Sequence, residues 1–277
     1  MNEIDAPLFP NIDLLQTALE AALSAGKAIM TIYRTNFDID YKSDFTPVTL
    51  ADTTADKIIT KILSTSGIPV ISEESETMDY ARRKSWKMLW MVDPLDGTKE
   101  FIRGRDEFTV NIALILGQKP VLGVVYAPAT GELYFGMTSI GSFLTRLDLN
   151  VETELLSPSE IMASSEKLPL RISKDIGFVV QASRSHQDAK TRRFINELKQ
   201  SHPDLRVVAR GSSLKLCAVA DGSCHVYPRF GPTMEWDTAA GHAIIIQVGG
   251  DVTEVKNGFP LSYNKKSLQN PDFIAKR

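Results

Sequence analysis

The sequence is poor in cysteine, in excess charge of either sign and in long apolar runs. Only Cys217 and Cys224 occur in 277 residues, which favours neither a disulfide framework nor a zinc site and is typical of a reduced, cytoplasmic setting. A net charge of -3 argues against a surface for a nucleic-acid polymer. No apolar run approaches the ~18 residues of a transmembrane helix, and the acidic start lacks a signal-peptide pattern. A polyanionic ligand could therefore bind only locally, through a few placed cations or a metal.

Hydrophobic periodicity divides the chain into two halves. Helices are predicted over 13–33 and 49–63, followed by strands at 89–92, 108–116, 121–126 and 132–135, the last three an antiparallel meander. The second half alternates strands (178–182, 207–209, 225–227) with helices (188–198, 214–220, 236–248). We expect an N-terminal extension (1–12), an α+β domain (13–145), a connection (146–172) and an α/β domain (173–277).

Two carboxylates lie at the end of a predicted buried strand. Asp93 and Asp96 follow the apolar residues 89–92, and we expect Pro94 and Gly97 to end the strand in a tight loop. Carboxylates this close repel each other unless a cation lies between them, and oxygen ligands favour Mg²⁺ before Mn²⁺ or Ca²⁺. An isolated turn of this composition would be an ordinary surface loop. Whether this turn binds a metal therefore depends on the other acidic residues that the folded chain could bring to it.

Further acidic residues lie where a folded chain could bring them to this loop. Asp52 opens the second helix and Asp237 the helix over 236–248, positions at which the helix dipole alone accounts for an acid. Glu73 and Glu74 follow a short predicted strand at 69–71. A parallel neighbouring strand would place Glu73 beside Asp93.

Three turns in the second half are suited to anions. Residues 210–215 form a strand-to-helix turn with Ser212 and Lys215, residues 183–186 a similar turn with His186, and residues 227–232 a proline-rich loop with Arg229. Free backbone N–H groups at helix starts, hydroxyls and cations are what bind phosphate. Each turn is weak evidence alone, because serine near a helix start is usually a cap.

Together these segments resemble a known motif set. Residues 47–52, 72–75, 92–98 and 236–241 are similar to the motifs of the inositol monophosphatase superfamily, in order and in spacing. Residues 97–101, 108–114, 123–128, 211–215 and 227–232 most closely resemble its bacterial CysQ-type 3'(2'),5'-bisphosphate nucleotidases. The resemblance implies a layered α/β/α/β/α sandwich of the inositol monophosphatase and fructose-1,6-bisphosphatase type. It also implies Mg²⁺-dependent hydrolysis of adenosine 3',5'-bisphosphate to AMP in sulfur metabolism.

The resemblance further implies roles for individual residues. Glu73, Asp93 and the Leu95 carbonyl would hold one Mg²⁺, and Asp93, Asp96 and Asp237 a second. Catalysis would fall to Thr98 and Asp52, which activate the attacking water, and to Glu74. The scissile phosphate would lie at Gly97, Thr98 and Lys99. The nucleotide would contact the residues His186, Ser212, Lys215, Arg229 and Asp237. Two or three Mg²⁺ ions are implied, with Mn²⁺ as an alternative and Li⁺ as an inhibitor.

Several alternatives stay open on the sequence. An inositol or sugar phosphatase and a catalytically silent nucleotide sensor are the rivals, and the sensor predicts loss of the Asp52–Thr98 pair, which is present. Glu235 departs from the expected pattern and is predicted either to strengthen metal binding or to face solvent. Monomer and homodimer are both compatible with the sequence, as is peripheral attachment to the cytoplasmic face of the inner membrane.

Overall fold

A computed structural model describes residues 9–35, 39–41, 47–75, 78–148, 157–170, 177–183 and 189–277. Its helices are α1 (Ile12–Tyr33), α2 (Leu50–Leu63), α3 (Tyr80–Arg83), α4 (Thr98–Ile102), α5 (Pro158–Ala163), α6 (Ala189–Ser201), α7 (Leu214–Asp221) and α8 (Ala239–Ile246). Among the described residues, no helix combines the length and apolarity needed to cross a bilayer.

Three strand groups are present. A short antiparallel pair joins β1 (Ile39–Tyr41) and β2 (Pro47–Thr49). The seven-stranded sheet runs, in spatial order, β3 (Val70–Ser72), β4 (Met88–Asp96), β5 (Thr109–Leu116), β6 (Lys119–Ala127), β7 (Glu132–Met137), β8 (Gly141–Arg146) and β9 (Glu166–Lys167). Only β3 and β4 are parallel in this sheet, so the predicted meander over β5, β6 and β7 is confirmed.

The second sheet has five strands. Its spatial order is β11 (Arg206–Arg210), β10 (Val179–Ser183), β12 (Val226–Arg229), β14 (Phe273–Lys276) and β13 (Asp251–Glu254). β10 is parallel to β11 and β12, as strand–helix alternation predicts. β13 and β14 add an antiparallel edge that the sequence analysis missed.

Side-chain alternation along the strands builds three apolar cores. In β4, Trp90 and Val92 pack with α1 and α2, whereas Leu89 and Met91 pack with α7 and α8 on the opposite face. The α7–α8 layer also covers the inner face of the second sheet, and α6 packs on its outer face. The layers therefore run helix, sheet, helix, sheet, helix, which confirms the predicted α/β/α/β/α sandwich.

Several predicted boundaries were wrong. β4 does not end at Val92 but continues through a register irregularity to Asp96, where it pairs with Thr109. α8 begins at Ala239, not Trp236, so Asp237 precedes the helix. Arg229 is the last residue of β12, not part of a loop.

The predicted connection over 146–172 contains α5 and β9, and β9 pairs with β8. The division into two domains stays a prediction, because the α7–α8 core is continuous between the sheets.

α8 lies unusually close to the first sheet. A Cβ atom added to Gly123 in β6 would lie 2.2 Å from the Ala240 carbonyl oxygen. Glycine at this position and the small residues 239–241 at the start of α8 thus permit close backbone approach. This contact holds the segment that carries Asp237 against the first sheet.

Candidate active site

Three carboxylates converge at the end of the first sheet. Oxygen atoms of Glu73, Asp93 and Asp237 all lie within 4.8 Å of one another. Ser72 is paired with Val92 across parallel β3 and β4, so the chain leaving β3 places Glu73 beside Asp93, as predicted. Asp93 has the same parity as Leu89 and Met91, so it faces the α7–α8 layer. Asp237 reaches the cluster from the turn before α8.

The electrostatics of this cluster fit a cation. Burial raises the pKa of Asp93 well above its ordinary value, and the charges of Glu73, Asp96 and Asp237 raise it further. Burial and the Asp96 charge likewise raise the pKa of Asp237. A hard divalent cation bound to these oxygens would remove the repulsion, and an all-oxygen donor set suits Mg²⁺.

Asp52 uses its two carboxylate oxygens differently. Oδ2 accepts hydrogen bonds from the backbone N–H and the hydroxyl of Thr49, both at 2.7 Å, and closes the capping box of α2. Oδ1 accepts a hydrogen bond from the Thr98 hydroxyl at 3.1 Å. Asp52 is buried, and burial raises its pKa. The helix-end role and the predicted pairing with Thr98 are therefore both present.

Asp96 is held by hydroxyl and amide donors, of which the sequence analysis singled out only Ser212, and for contact with the nucleotide rather than with Asp96. Its Oδ2 accepts from the hydroxyls of Ser212 at 2.9 Å and Ser213 at 2.8 Å, and from Asn111 Nδ2 at 3.4 Å. Asn111 also donates to Ser213 Oγ at 2.9 Å. The available signal was Asn111 itself, a polar residue inside the apolar run of β5. Protein donors thus use Oδ2 of Asp96, and Oδ1 is the oxygen that could bind a metal ion.

A cleft extends from the carboxylates between α4 and α7. It is lined by the residues Asp96, Gly97, Lys99, Glu100, Arg210, Gly211, Ser212, Ser213, Lys215, Leu216, Tyr227, Arg229, Thr233, Asp237, Thr238 and Phe273. Lys215 is nearly buried and donates to the Ser212 carbonyl. Burial lowers its pKa, and the Arg229 charge lowers it further, whereas the Asp96 charge opposes the shift. Arg229 donates to the Pro232 carbonyl at 3.0 Å, but its buried Nε has no acceptor.

Backbone geometry shapes the turns around the cleft. Gly97 precedes α4 with φ of +95°, and a Cβ atom there would lie 3.1 Å from the Glu107 carbonyl oxygen. Ser212 adopts a φ of +52°, which is uncommon for a residue with a side chain. This conformation turns its hydroxyl toward Asp96 and Thr109.

The remaining predicted residues lie as follows. The Leu95 side chain is buried in the core between the first sheet and helices α1 and α2, and its carbonyl accepts from Thr98 Oγ1 at 3.3 Å. Lys99 is exposed at the cleft. Glu74 follows Glu73, and its backbone N–H donates to Ser72 Oγ at 3.4 Å. His186 lies outside the described residues.

Both predictions for Glu235 were wrong. Its carboxylate is fully buried, so it does not face solvent. It accepts from the backbone N–H of Asn264 at 2.6 Å and from Lys265 Nζ at 2.6 Å, so its oxygens are used away from the metal cluster. Burial of a carboxylate requires such partners. Lys265, 30 residues away in the chain, could not be identified from sequence.

Comparisons with known proteins agree with this geometry. Residues 11–277 match the model of the inositol monophosphatase family. The 3'(2'),5'-bisphosphate nucleotidase CysQ of Escherichia coli strain CFT073 is 40% identical over 265 residues, which cover 94% of this chain and 98% of that protein. The crystal structure of CysQ from Bacteroides thetaiotaomicron, described as a bacterial member of the family, is 44% identical, with a TM-score of 0.88 and 98% of both chains covered. The extragenic suppressor protein SuhB from Bartonella henselae is 25% identical, with a TM-score of 0.69 and coverage of 96% and 94%.

Proposed function

The chain belongs to the inositol monophosphatase family, and on that basis we propose that it is a 3'(2'),5'-bisphosphate nucleotidase. The proposed reaction is metal-dependent hydrolysis of the 3'-phosphate of adenosine 3',5'-bisphosphate to AMP and phosphate. The observation that carries the proposal is the convergence of Glu73, Asp93 and Asp237 beside the Thr98–Asp52 pair, at one end of a cleft with cationic walls.

The acidic cluster would hold the metal. Glu73, Asp93 and the Leu95 carbonyl are the proposed ligands of one Mg²⁺, and Asp93, Asp96 and Asp237 those of a second. Bound Mg²⁺ would supply Lewis acidity that neutralises charge on the phosphate and increases the acidity of water. Mn²⁺ as a substitute, a third ion and inhibition by Li⁺ are part of the same proposal.

The Thr98–Asp52 pair would orient and deprotonate the attacking water. The Thr98 hydroxyl donates to Asp52 Oδ1, so its lone pairs are free to accept a hydrogen bond from water. As the water oxygen attacks phosphorus, a water proton passes to Thr98 Oγ1 while the Thr98 proton passes to Asp52. The O3' oxygen leaves with the electron pair of the broken P–O3' bond and takes a proton from a second water. A hydroxyl alone is too weak a base. Burial raises the pKa of Asp52 and makes its carboxylate more basic than an exposed one.

The cationic wall would bind the nucleotide. Lys99, Lys215 and Arg229 line the same cleft as Asp96 and Asp237. A phosphate group would supply an acceptor to the buried Arg229 Nε and would compensate the buried charge of Lys215. Contacts with His186 and Ser212, a role for Glu74 in catalysis, a cytoplasmic location and recycling of the nucleotide in sulfur assimilation are further predictions.

Phosphate release with Mg²⁺ tests the substrate class. We expect adenosine 3',5'-bisphosphate to be hydrolysed in strong preference to inositol 1-phosphate and fructose 1,6-bisphosphate, and EDTA to abolish the reaction. Preference for inositol 1-phosphate or the sugar phosphate would contradict the nucleotide assignment while retaining the metal site. No release from any of the three would favour a silent binding protein.

Asp96→Asn tests the metal ligands without reshaping the cleft. The amide oxygen can take the place of Oδ2 and accept from Ser212 and Ser213, so only the oxygen facing the site is replaced. We expect turnover to be abolished and the thermal transition to be preserved. Asp106→Asn removes the same charge at an exposed site and serves as the control with normal turnover. Near-normal turnover of Asp96→Asn would disprove the ligand assignment.

A further inference from the structure

A chain of buried hydrogen bonds runs from the protein surface to the residue after Asp237. Asp251 Oδ1 lies 2.8 Å from His242 Nε2, and His242 Nδ1 lies 2.9 Å from the Tyr263 hydroxyl. The Tyr263 hydroxyl in turn lies 3.3 Å from Thr238 Oγ1. His242, Tyr263 and Thr238 are at most 2% exposed, whereas the Asp251 side chain is 39% exposed. We call these four residues the Asp251–Thr238 chain.

The donors and acceptors assign a direction to the Asp251–Thr238 chain. The Asp251 carboxylate only accepts, so His242 Nε2 carries a proton. Thr238 donates its single proton to the Glu235 carbonyl at 3.2 Å, so its oxygen accepts from Tyr263 at 3.3 Å and from Asn270 Nδ2 at 3.0 Å. Tyr263 thereby joins His242 to Thr238.

Each side chain of the Asp251–Thr238 chain is oriented by a hydrogen bond to the next one. Burial raises the pKa of the Tyr263 hydroxyl, so it keeps its proton. A change in the contact between Asp251 and His242 would thus be transmitted to Thr238 through groups that are buried from solvent.

Thr238 ends the turn that carries Asp237. Asp237 Oδ2 accepts from the Met234 N–H at 2.9 Å, and Thr238 Oγ1 is bonded to the Glu235 carbonyl. Asn270 Nδ2 donates to Thr238 Oγ1 at 3.0 Å and to the Met234 carbonyl at 2.7 Å. Met234 therefore contacts Asp237 directly, and Thr238 is hydrogen-bonded to Glu235 and Asn270, which hold the same turn in place.

We propose that the Asp251–Thr238 chain is a positioning device for Asp237, which sets how well this carboxylate binds a divalent cation. The inference rests on the proposed metal site and not on the identity of the substrate. None of the four residues touches the reacting atoms; they act through the turn that holds Asp237. Interactions behind a metal ligand orient it and commonly affect affinity.

Asp251→Asn tests the proposal from the surface. An amide oxygen at this position accepts from His242 Nε2 without the charge of the carboxylate, which weakens the hydrogen bond that orients His242. We expect Mn²⁺ binding, followed by the EPR signal of the free ion and without substrate, to weaken about tenfold. The Mg²⁺ concentration for half-maximal activity should rise by the same factor, with kcat at saturating Mg²⁺ within about twofold of the wild type.

Asp272→Asn is the matched control. Asp272 is similarly exposed, precedes β14 at the opposite end of the β13–β14 pair from Asp251, and is paired with Lys190 at 2.8 Å, so its loss should leave Mn²⁺ affinity unchanged. Unchanged affinity in Asp251→Asn would overturn the inference alone. A wild-type chain that binds no Mn²⁺ would overturn the metal site and the inference together.

Tyr263→Phe tests the buried end of the same chain. It removes the hydroxyl that donates to Thr238, so Mn²⁺ affinity should fall by at least as much as in Asp251→Asn. The control is Tyr134→Phe, another buried tyrosine, whose hydroxyl donates to Asp221 at 3.3 Å. Unchanged Mn²⁺ affinity in Tyr263→Phe would refute transmission from His242 to Thr238.

Discussion

Asp52→Asn separates the two roles of one carboxylate. The amide oxygen can replace Oδ2 and accept from the Thr49 N–H and hydroxyl, which preserves the capping box. The NH₂ group then replaces Oδ1 and faces the Thr98 hydroxyl. In this orientation the helix cap survives, but Asp52 can no longer accept the Thr98 proton. The reverse orientation would set the NH₂ group against the Thr49 N–H and is disfavoured.

The expected magnitudes differ sharply for folding and catalysis. Two charge-assisted hydrogen bonds become neutral, a loss of about 1–2 kcal/mol that is partly offset because a buried carboxylate is removed. The free energy of unfolding should therefore change by no more than about 1 kcal/mol. Loss of a general base costs about 100- to 10,000-fold in kcat, equivalent to about 3–5 kcal/mol of activation free energy.

The assays are urea unfolding and the pH dependence of phosphate release. Because burial raises the pKa of Asp52, wild-type kcat should fall with decreasing pH at a value above that of an ordinary aspartate, and Asp52→Asn should lose this dependence. Thr49→Val is the matched variant: it weakens the cap by about 1 kcal/mol but keeps the Thr49 N–H, so kcat should stay within about tenfold. If Asp52→Asn kept kcat within tenfold, Asp52 would not be the base.

Three further predictions follow from burial and close packing. Mg²⁺ at about 100 times its Kd should stabilise the fold by about 2.7 kcal/mol and raise Tm by about 5–8 °C at pH 8. This gain in stability from Mg²⁺ should shrink toward pH 5. Burial raises the pKa of Asp93 and Asp237 in the folded state, so the metal-free fold becomes more stable as pH falls. A cation must then compete with the protons bound to these carboxylates. An equal gain at both values, measured by calorimetry, would contradict this. Burial raises the pKa of Cys224 to about 12 and that of Cys217 well above its ordinary value, so neither thiol should react with a disulfide reagent at pH 8 until guanidinium unfolds the chain. Gly123→Ala should lose about 3 kcal/mol of unfolding free energy because the added Cβ would lie 2.2 Å from the Ala240 carbonyl oxygen. Gly231→Ala, whose Cβ would meet nothing within 4 Å, should change little, and equal effects of the two substitutions would refute the close-packing argument.

Local patterns in the sequence predicted most of the fold. Alternating apolar residues identified β5, β6 and β7, and helical spacing identified α1 and α2, because these signals depend on neighbours along the chain. The antiparallel edge formed by β13 and β14 was missed. β13 is only four residues long and pairs with a strand at the end of the chain, so no local turn signal joins the two strands.

The sequence predicted the candidate site only in part, because its residues lie in separate segments of the chain. Glu73, Asp93 and Asp237 lie in separate segments, and a parallel β3–β4 pair was the hypothesis that joined the first two. The residues that hold Asp96 were not predicted as such. Ser213 lies 117 residues from Asp96 in the chain, and nothing local distinguishes it from an ordinary serine near a helix start.

The sequence by itself supplied the side chains of the candidate site: carboxylates at strand and helix ends, a threonine that pairs with an aspartate, and cations in turns. Only the tertiary structure decided which carboxylates lie in the candidate metal cluster and which are paired with other groups of the protein. Glu235 and Asp237 are two residues apart, yet one is paired with Lys265 and the other joins the metal cluster. The physical reason is that a buried charge needs partners from all sides, and those partners come from distant segments that meet only when the two sheets enclose the α7–α8 layer.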